Sequence, residues 1–143
     1  MVIFKKRSIL AWIGVSFCLG LFPVSSVARE VKHVVVEKTG LYEHSNDPTI
    51  PRECEKFRPT AGQIKIFFSR AYPVERYVLM HSRYSSCYAV GTIEFSDGHF
   101  GRWKLFSGGV AELRFNRGDV VTVFYGKNKW IDPFEGGYEY NGD

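Results

Sequence analysis

The spacings that mark metal and phosphate chemistry are missing from this chain. It has three cysteines and four histidines, yet contains no Cys-x-x-Cys and no His-x-x-x-His, so no zinc ligand frame is offered. Gly108-Gly109 is not followed by a helical pattern and reads as a turn, which excludes a phosphate-cradling loop. Asp97 and Asp119 each stand beside a glycine in a turn, which explains them without a hydrolytic carboxylate pair. His81 lies near Ser82, Ser85, Ser86, Cys87 and Tyr88, but nothing in the sequence brings these groups into a nucleophilic arrangement. No internal repeat occurs and low-complexity sequence is scarce, so the chain reads as one unit. The expectation is a protein without catalytic activity, cofactor or metal.

Charge of one sign is also missing once the amino end is set aside. The formal net charge is +4, but Lys5, Lys6 and Arg7 form a basic start to an apolar run from Ile9 to Phe22. Pro23 and Ser25-Ser26-Val27-Ala28 follow, with small residues at Ser26 and Ala28. That layout is a secretory signal peptide over residues 1–28, with cleavage before Arg29. The run is shorter than the roughly 20 apolar residues of a membrane span, and bulky Phe17 before Cys18 disfavours a lipoprotein. The remaining domain, 29–143, is near +1, with basic residues scattered at Lys32, Arg52, Arg58, Arg70, Arg83, Arg102 and Arg117. It has no stripe to bind nucleic acid, and no membrane association is expected after cleavage. The expected location is the periplasm or the exterior.

Cys54 and Cys87 remain in the exported part, and two cysteines in an oxidising compartment pair most simply as one disulfide. Closing a loop of about 34 residues stabilises a fold by about 3 kcal/mol on the chain-entropy model.

Val34-Val35-Val36 opens a strand over Val31 to Leu41. Tyr42 to Glu55 is loop-like. Thr60 and Gln63 form a capping box, after which Ile64, Phe67, Phe68 and Ala71 fall on one helical face until Pro73 stops the helix. Tyr77 to His81 reads as a strand, and Cys87 to Phe95 as another, with Ala89, Gly91, Ile93 and Phe95 sharing a face. Asp97-Gly98 marks a tight hairpin into Phe100 to Phe106. Further turns lead to Val110 to Phe115 and Val120 to Tyr125. A last strand or extended tail carries Trp130, Phe134, Tyr138 and Tyr140. The fold class is therefore α+β: an antiparallel meander of five or six strands, curled or barrel-like, covered by one helix. Aromatic residues, 16% of the chain, supply much of the core.

A domain of this kind acts by binding. The candidate contact residues are Trp130, Asp132, Glu135, Tyr138, Glu139 and Tyr140, because aromatic side chains with nearby charge suit interface hot spots. For Trp130 and Phe134 the favoured reading is that they close the core, and the loop Tyr42 to Arg52 is a second contact region. The series Cys54-x-x-Phe57-x-Pro59-Thr60, Gln63-x-x-x-Phe67-Phe68-x-x-Ala71, Cys87, Gly91-x-Ile93-x-Phe95-x-Asp97-Gly98-x-x-Gly101-x-Trp103-x-Leu105 resembles small exported proteins of Gram-negative bacteria. Some of these resemble immunity proteins encoded beside type VI secretion effectors. The resemblance spans Cys54 to Phe134 and implies a periplasmic protein that binds and neutralises an envelope-targeting toxin or hydrolase. It marks no binding residue, and the near-neutral charge departs from the strongly acidic immunity proteins. The other expectation is an exported carbohydrate- or cell-surface-binding module that stacks sugars on Trp130 or Tyr138.

Overall fold

The computed structural model describes residues 29–140. The expected signal peptide, residues 1–28 with Cys18, and the last three residues lie outside the described residues. Six strands form one antiparallel sheet: β1 (Val31–Tyr42), β2 (Tyr72–Pro73), β3 (Cys87–Phe95), β4 (Phe100–Phe106), β5 (Val110–Phe115) and β6 (Val120–Phe124). Their spatial order is β1-β3-β4-β5-β6-β2, so the strands from β3 to β6 are a meander. The sheet stays open, with β1 and the two-residue β2 as its edges. The fold is α+β.

The period-two pattern of the sequence fixes the two faces. On the inner face Ala89, Ile93, Phe95, Trp103, Leu105, Ala111, Leu113 and Phe115 are buried. Helix α2 (Ala61–Arg70) covers this face through Ile64, Phe67 and Phe68. Its start is the expected capping box: Gln63 N–H donates to Thr60 Oγ1 at 3.2 Å, and Thr60 N–H to Gln63 Oε1 at 2.9 Å. Ile66, off the stripe, is exposed. Trp103 packs flat over Gly91, its partner across β3 and β4. A Cβ on Gly91 would meet the Val35 carbonyl oxygen and that indole ring, so only glycine lets β1, β3 and Trp103 approach this closely. Gly98 takes φ +85° in the β3–β4 turn, the left-handed conformation the Asp97-Gly98 hairpin requires.

Cys54 and Cys87 form the expected disulfide, with Cα atoms 4.9 Å apart. Both are fully buried, and the bridge ties the segment before α2 to the first residue of β3.

Two local expectations are corrected. Residues 42–55 are not loop throughout, because α1 (Ile50–Cys54) forms there with a proline in its first turn, where the missing N–H has no helical partner to lose. Tyr77 to His81 is not a strand. Val78–Ser82 is a π-helical turn, with Arg83 N–H donating to Val78 O at 2.8 Å, and a short apolar run does not distinguish strand from helix by period. Of the two readings of the tail, a last strand or an extended segment, the second holds: no strand follows Phe124 among the described residues. The sixth strand is Tyr72–Pro73, paired with Val123 and Phe124 at the edge of the sheet.

The π-helical turn gives the outer face a partial cover. Leu79 is buried on it with Phe106, Val110 and Phe124, and Val74, Tyr88 and Tyr140 pack around this second cluster. The opposite end of the outer face has no such cover among the described residues.

Candidate functional site

The tail after β6 folds back over the β4–β5 turn, and Asp132 is the residue that fixes it. Its Oδ1 accepts from Ser107 Oγ at 2.8 Å and from Phe134 N–H at 3.0 Å, while Oδ2 accepts from the Tyr138 hydroxyl at 2.7 Å. Ser107 and Ser85 are both buried, their hydroxyls 2.6 Å apart. Since Ser107 spends its proton on Asp132, Ser85 donates to Ser107, and Ser85 Oγ accepts in turn from Cys87 N–H at 3.1 Å. A continuous relay of hydrogen bonds thus runs from the disulfide to the tail. In a low-dielectric site such a fully satisfied network is rigidifying.

Arg83, delivered by the π-helical turn, closes the other side. It is buried, its Nε and Nη2 donate to Gly108 O at 2.8 and 2.5 Å, and Nη1 donates to Tyr140 O at 3.1 Å. The guanidinium lies 4.0 Å from the Tyr138 ring centre, a cation–π stack. Burial lowers the Arg83 pKa from its ordinary value, against the pull of the Tyr138 and Asp132 oxygens. Burial also raises the Tyr138 phenol well above its usual range, and its hydrogen bond to the Asp132 carboxylate acts in the same direction. A polar cavity of about 440 Å³ remains between these groups, with Asn128, Glu135 and Trp130 on its walls.

Each sequence-derived contact residue can now be placed. Trp130 is half-buried, with its Nε1–H donating to Ser107 O at 2.9 Å and its ring 5.8 Å from Phe57 and 5.9 Å from Phe67. Asp132 and Tyr138 belong to the network just described. Tyr140 packs edge-on against Phe124 at 5.0 Å, and its hydroxyl meets that of Tyr72 at 3.4 Å. Glu135 and Glu139 are exposed, and Glu135 borders the cavity. Trp130, Asp132, Glu135 and Tyr138 therefore meet around one cavity, while Tyr140 and Glu139 sit beside Ser82, whose carbonyl accepts from both their N–H groups. His81 stacks on Tyr77 at 4.5 Å, and Ser85 is engaged with Ser107. Among the described residues no three His, Cys, Asp or Glu side chains converge on a point where a metal ion could sit, and no helix is long and apolar enough to cross a membrane.

Arg83 and Ser107 were not singled out by sequence, since a scattered arginine and a turn serine carry no spacing signal, and Ser85 was weighed only beside His81. A second group was missed as well. At the uncovered end of the outer face, β-strand parity brings together Val35, Thr92, Phe100, Arg102, Arg114 and Val120 from five different strands. Only the strand pairing reveals that neighbourhood: Val35 faces Thr92, Thr92 faces Arg102, Arg102 faces Arg114, and Arg114 faces Val120. A shallow open trough of about 940 Å³ follows this surface.

Comparison with protein-family models, with curated proteins and with solved structures finds no match to this chain.

Proposed function

We propose that this chain is an exported, non-enzymatic binding domain that acts in the periplasm as an inhibitor or immunity protein. Its partner in this reading is an envelope-targeting toxin or hydrolase delivered by a type VI-like route, which it neutralises by occupying its surface. The observation that carries the reading is the contrast between the two sheet faces. The inner face is sealed by α2, the disulfide and the stapled tail, whereas one end of the outer face displays Val35, Phe100 and Val120 at about half exposure. A rigid sheet with an open mixed apolar and charged face is suited to docking a preformed partner with little ordering cost. The sequence resemblance and the buried disulfide support export and the inhibitor class. The rings of Trp130 and Tyr138 are engaged inside the fold, which weighs against a sugar-stacking module built on them.

The test is co-expression. The chain with its leader and a secreted toxin encoded beside its gene are both directed to the periplasm, and growth is followed. Growth restored by this chain, and lost again when its leader is removed, supports the reading. Continued killing, or selective retention of the purified domain on peptidoglycan, counts against it.

A further inference from the structure

The open end of the outer sheet face carries an arginine that folding leaves unmatched. Arg114 on β5 stands directly across from Arg102 on β4, and like charges directly opposite destabilise a strand pair. Arg102 is held by Glu37 at 2.6 Å. Three more cations around this face are answered: Lys32 by Glu94 at 3.0 Å, Lys104 by Glu43, and Arg76 by Glu112 at 3.6 Å. Arg114, like Lys38 on β1, has no ion pair or side-chain hydrogen bond among the described residues, and it is exposed. Its neighbours on the face are exposed apolar side chains, Val120 directly opposite on β6 and Phe100 and Val35 at the trough rim.

We infer that this surface is the partner-binding site, and that Arg114 receives a carboxylate from an acidic side chain of a folded protein. The inference rests on the proposed reading of the chain as a protein-binding domain and names the chemistry of its contact. An arginine beside exposed apolar groups suits an interface centre, where desolvation strengthens a bidentate guanidinium–carboxylate pair. A polyanion such as nucleic acid or an acidic glycan fits less well. It needs a row of free cations, and here the unmatched ones, Lys38 on β1 and Arg114 on β5, stand three strands apart. The repulsion between Arg102 and Arg114 in the free domain is relieved when the partner's carboxylate arrives between them.

The probe is the secreted toxin tested under the proposed function, mixed with residues 29–143. Arg114→Glu is expected to weaken binding by about 10- to 100-fold, the loss typical of an interface arginine. Its melting temperature should equal or exceed that of the wild type, because it faces Arg102 with an opposite charge. Lys65→Glu, on the exposed side of α2 across the sheet, should bind like the wild type. Arg114→Lys provides an amine, and a zero-length carbodiimide should couple position 114 to an Asp or Glu of the toxin, identified by mass spectrometry. If Arg114→Glu binds within about twofold of the wild type, or if the complex forms but position 114 couples to no toxin carboxylate, the inference is overturned. Neutralisation by the wild type and by Arg114→Glu alike would remove the inference and leave the proposed function standing. A wild-type chain that neither binds nor neutralises the toxin removes both, and coupling only to acidic glycan would replace the protein partner with a polyanion.

Discussion

Replacing Tyr138 with phenylalanine isolates the network that staples the tail. The ring volume is conserved, so no cavity opens, and the Arg83 stack is retained. What is lost is one hydroxyl bonded to the Asp132 carboxylate at 2.7 Å. Hydrogen bonds to charged groups contribute about 1.5–3 kcal/mol when buried. Because Tyr138 is only half-buried and Asp132 keeps its bonds to Ser107 and Phe134, a loss of about 1–2 kcal/mol at neutral pH is expected. The pH dependence carries more information. The unfolded phenol ionises near pH 10, while burial and then Asp132 raise the folded value above that. A group whose folded pKa is raised contributes stability that is complete below the unfolded pKa and is lost as pH climbs beyond it. From about pH 10 upward the unfolded chain sheds a proton the folded one keeps, and stability falls by at most about 1.4 kcal/mol per pH unit. Tyr138→Phe lacks that slope. Urea denaturation followed by circular dichroism, on both proteins from about pH 7 to about 11, should show a constant difference up to roughly pH 10 that then shrinks. A difference that stays constant to pH 11 would mean that Tyr138 ionises like a solvated phenol, and the buried network would be refuted.

The remaining predictions concern the frame. Replacing both Cys54 and Cys87 with alanine should cost about 3–4 kcal/mol for the closed loop. Reductant should lower the wild-type denaturation midpoint and leave the double variant unchanged. Gly91→Ala should destabilise by about 1–3 kcal/mol through overpacking, since the added methyl meets the Val35 carbonyl and Trp103. A thermal midpoint equal to the wild type would show that β1 or the indole shifts freely. Arg114→Glu, by contrast, should leave the fold at least as stable and act on binding alone.

Much of the frame was legible because period-two alternation is a strong signal when one face is buried. The inner sets of β3, β4 and β5, the Asp97-Gly98 turn, the Thr60–Gln63 cap and the Cys54–Cys87 pair all follow from local rules. The π-helical turn was not legible. Tyr77-Val78-Leu79-Met80-His81 is apolar enough for a strand, and only Leu79 is buried, docked on an outer-face cluster that no local pattern announces. The tail residues were recognised as aromatic and charged, but their engagement with Ser107 and Arg83 depends on contacts between positions 23 to 57 residues apart. The Arg102–Arg114 pair is visible only once the register of β4 and β5 is known, because neither residue has a sequence neighbour that marks it.

Hydroxyl-radical footprinting of residues 29–143, alone and with the toxin proposed as partner, reads the contact surface side chain by side chain. Oxidation of Phe100 and Val35 should drop sharply in the complex, while that of Tyr77 and Tyr84, exposed elsewhere, should not change. Unchanged oxidation of Phe100 and Val35 in a neutralising complex would contradict an interface on the open sheet face.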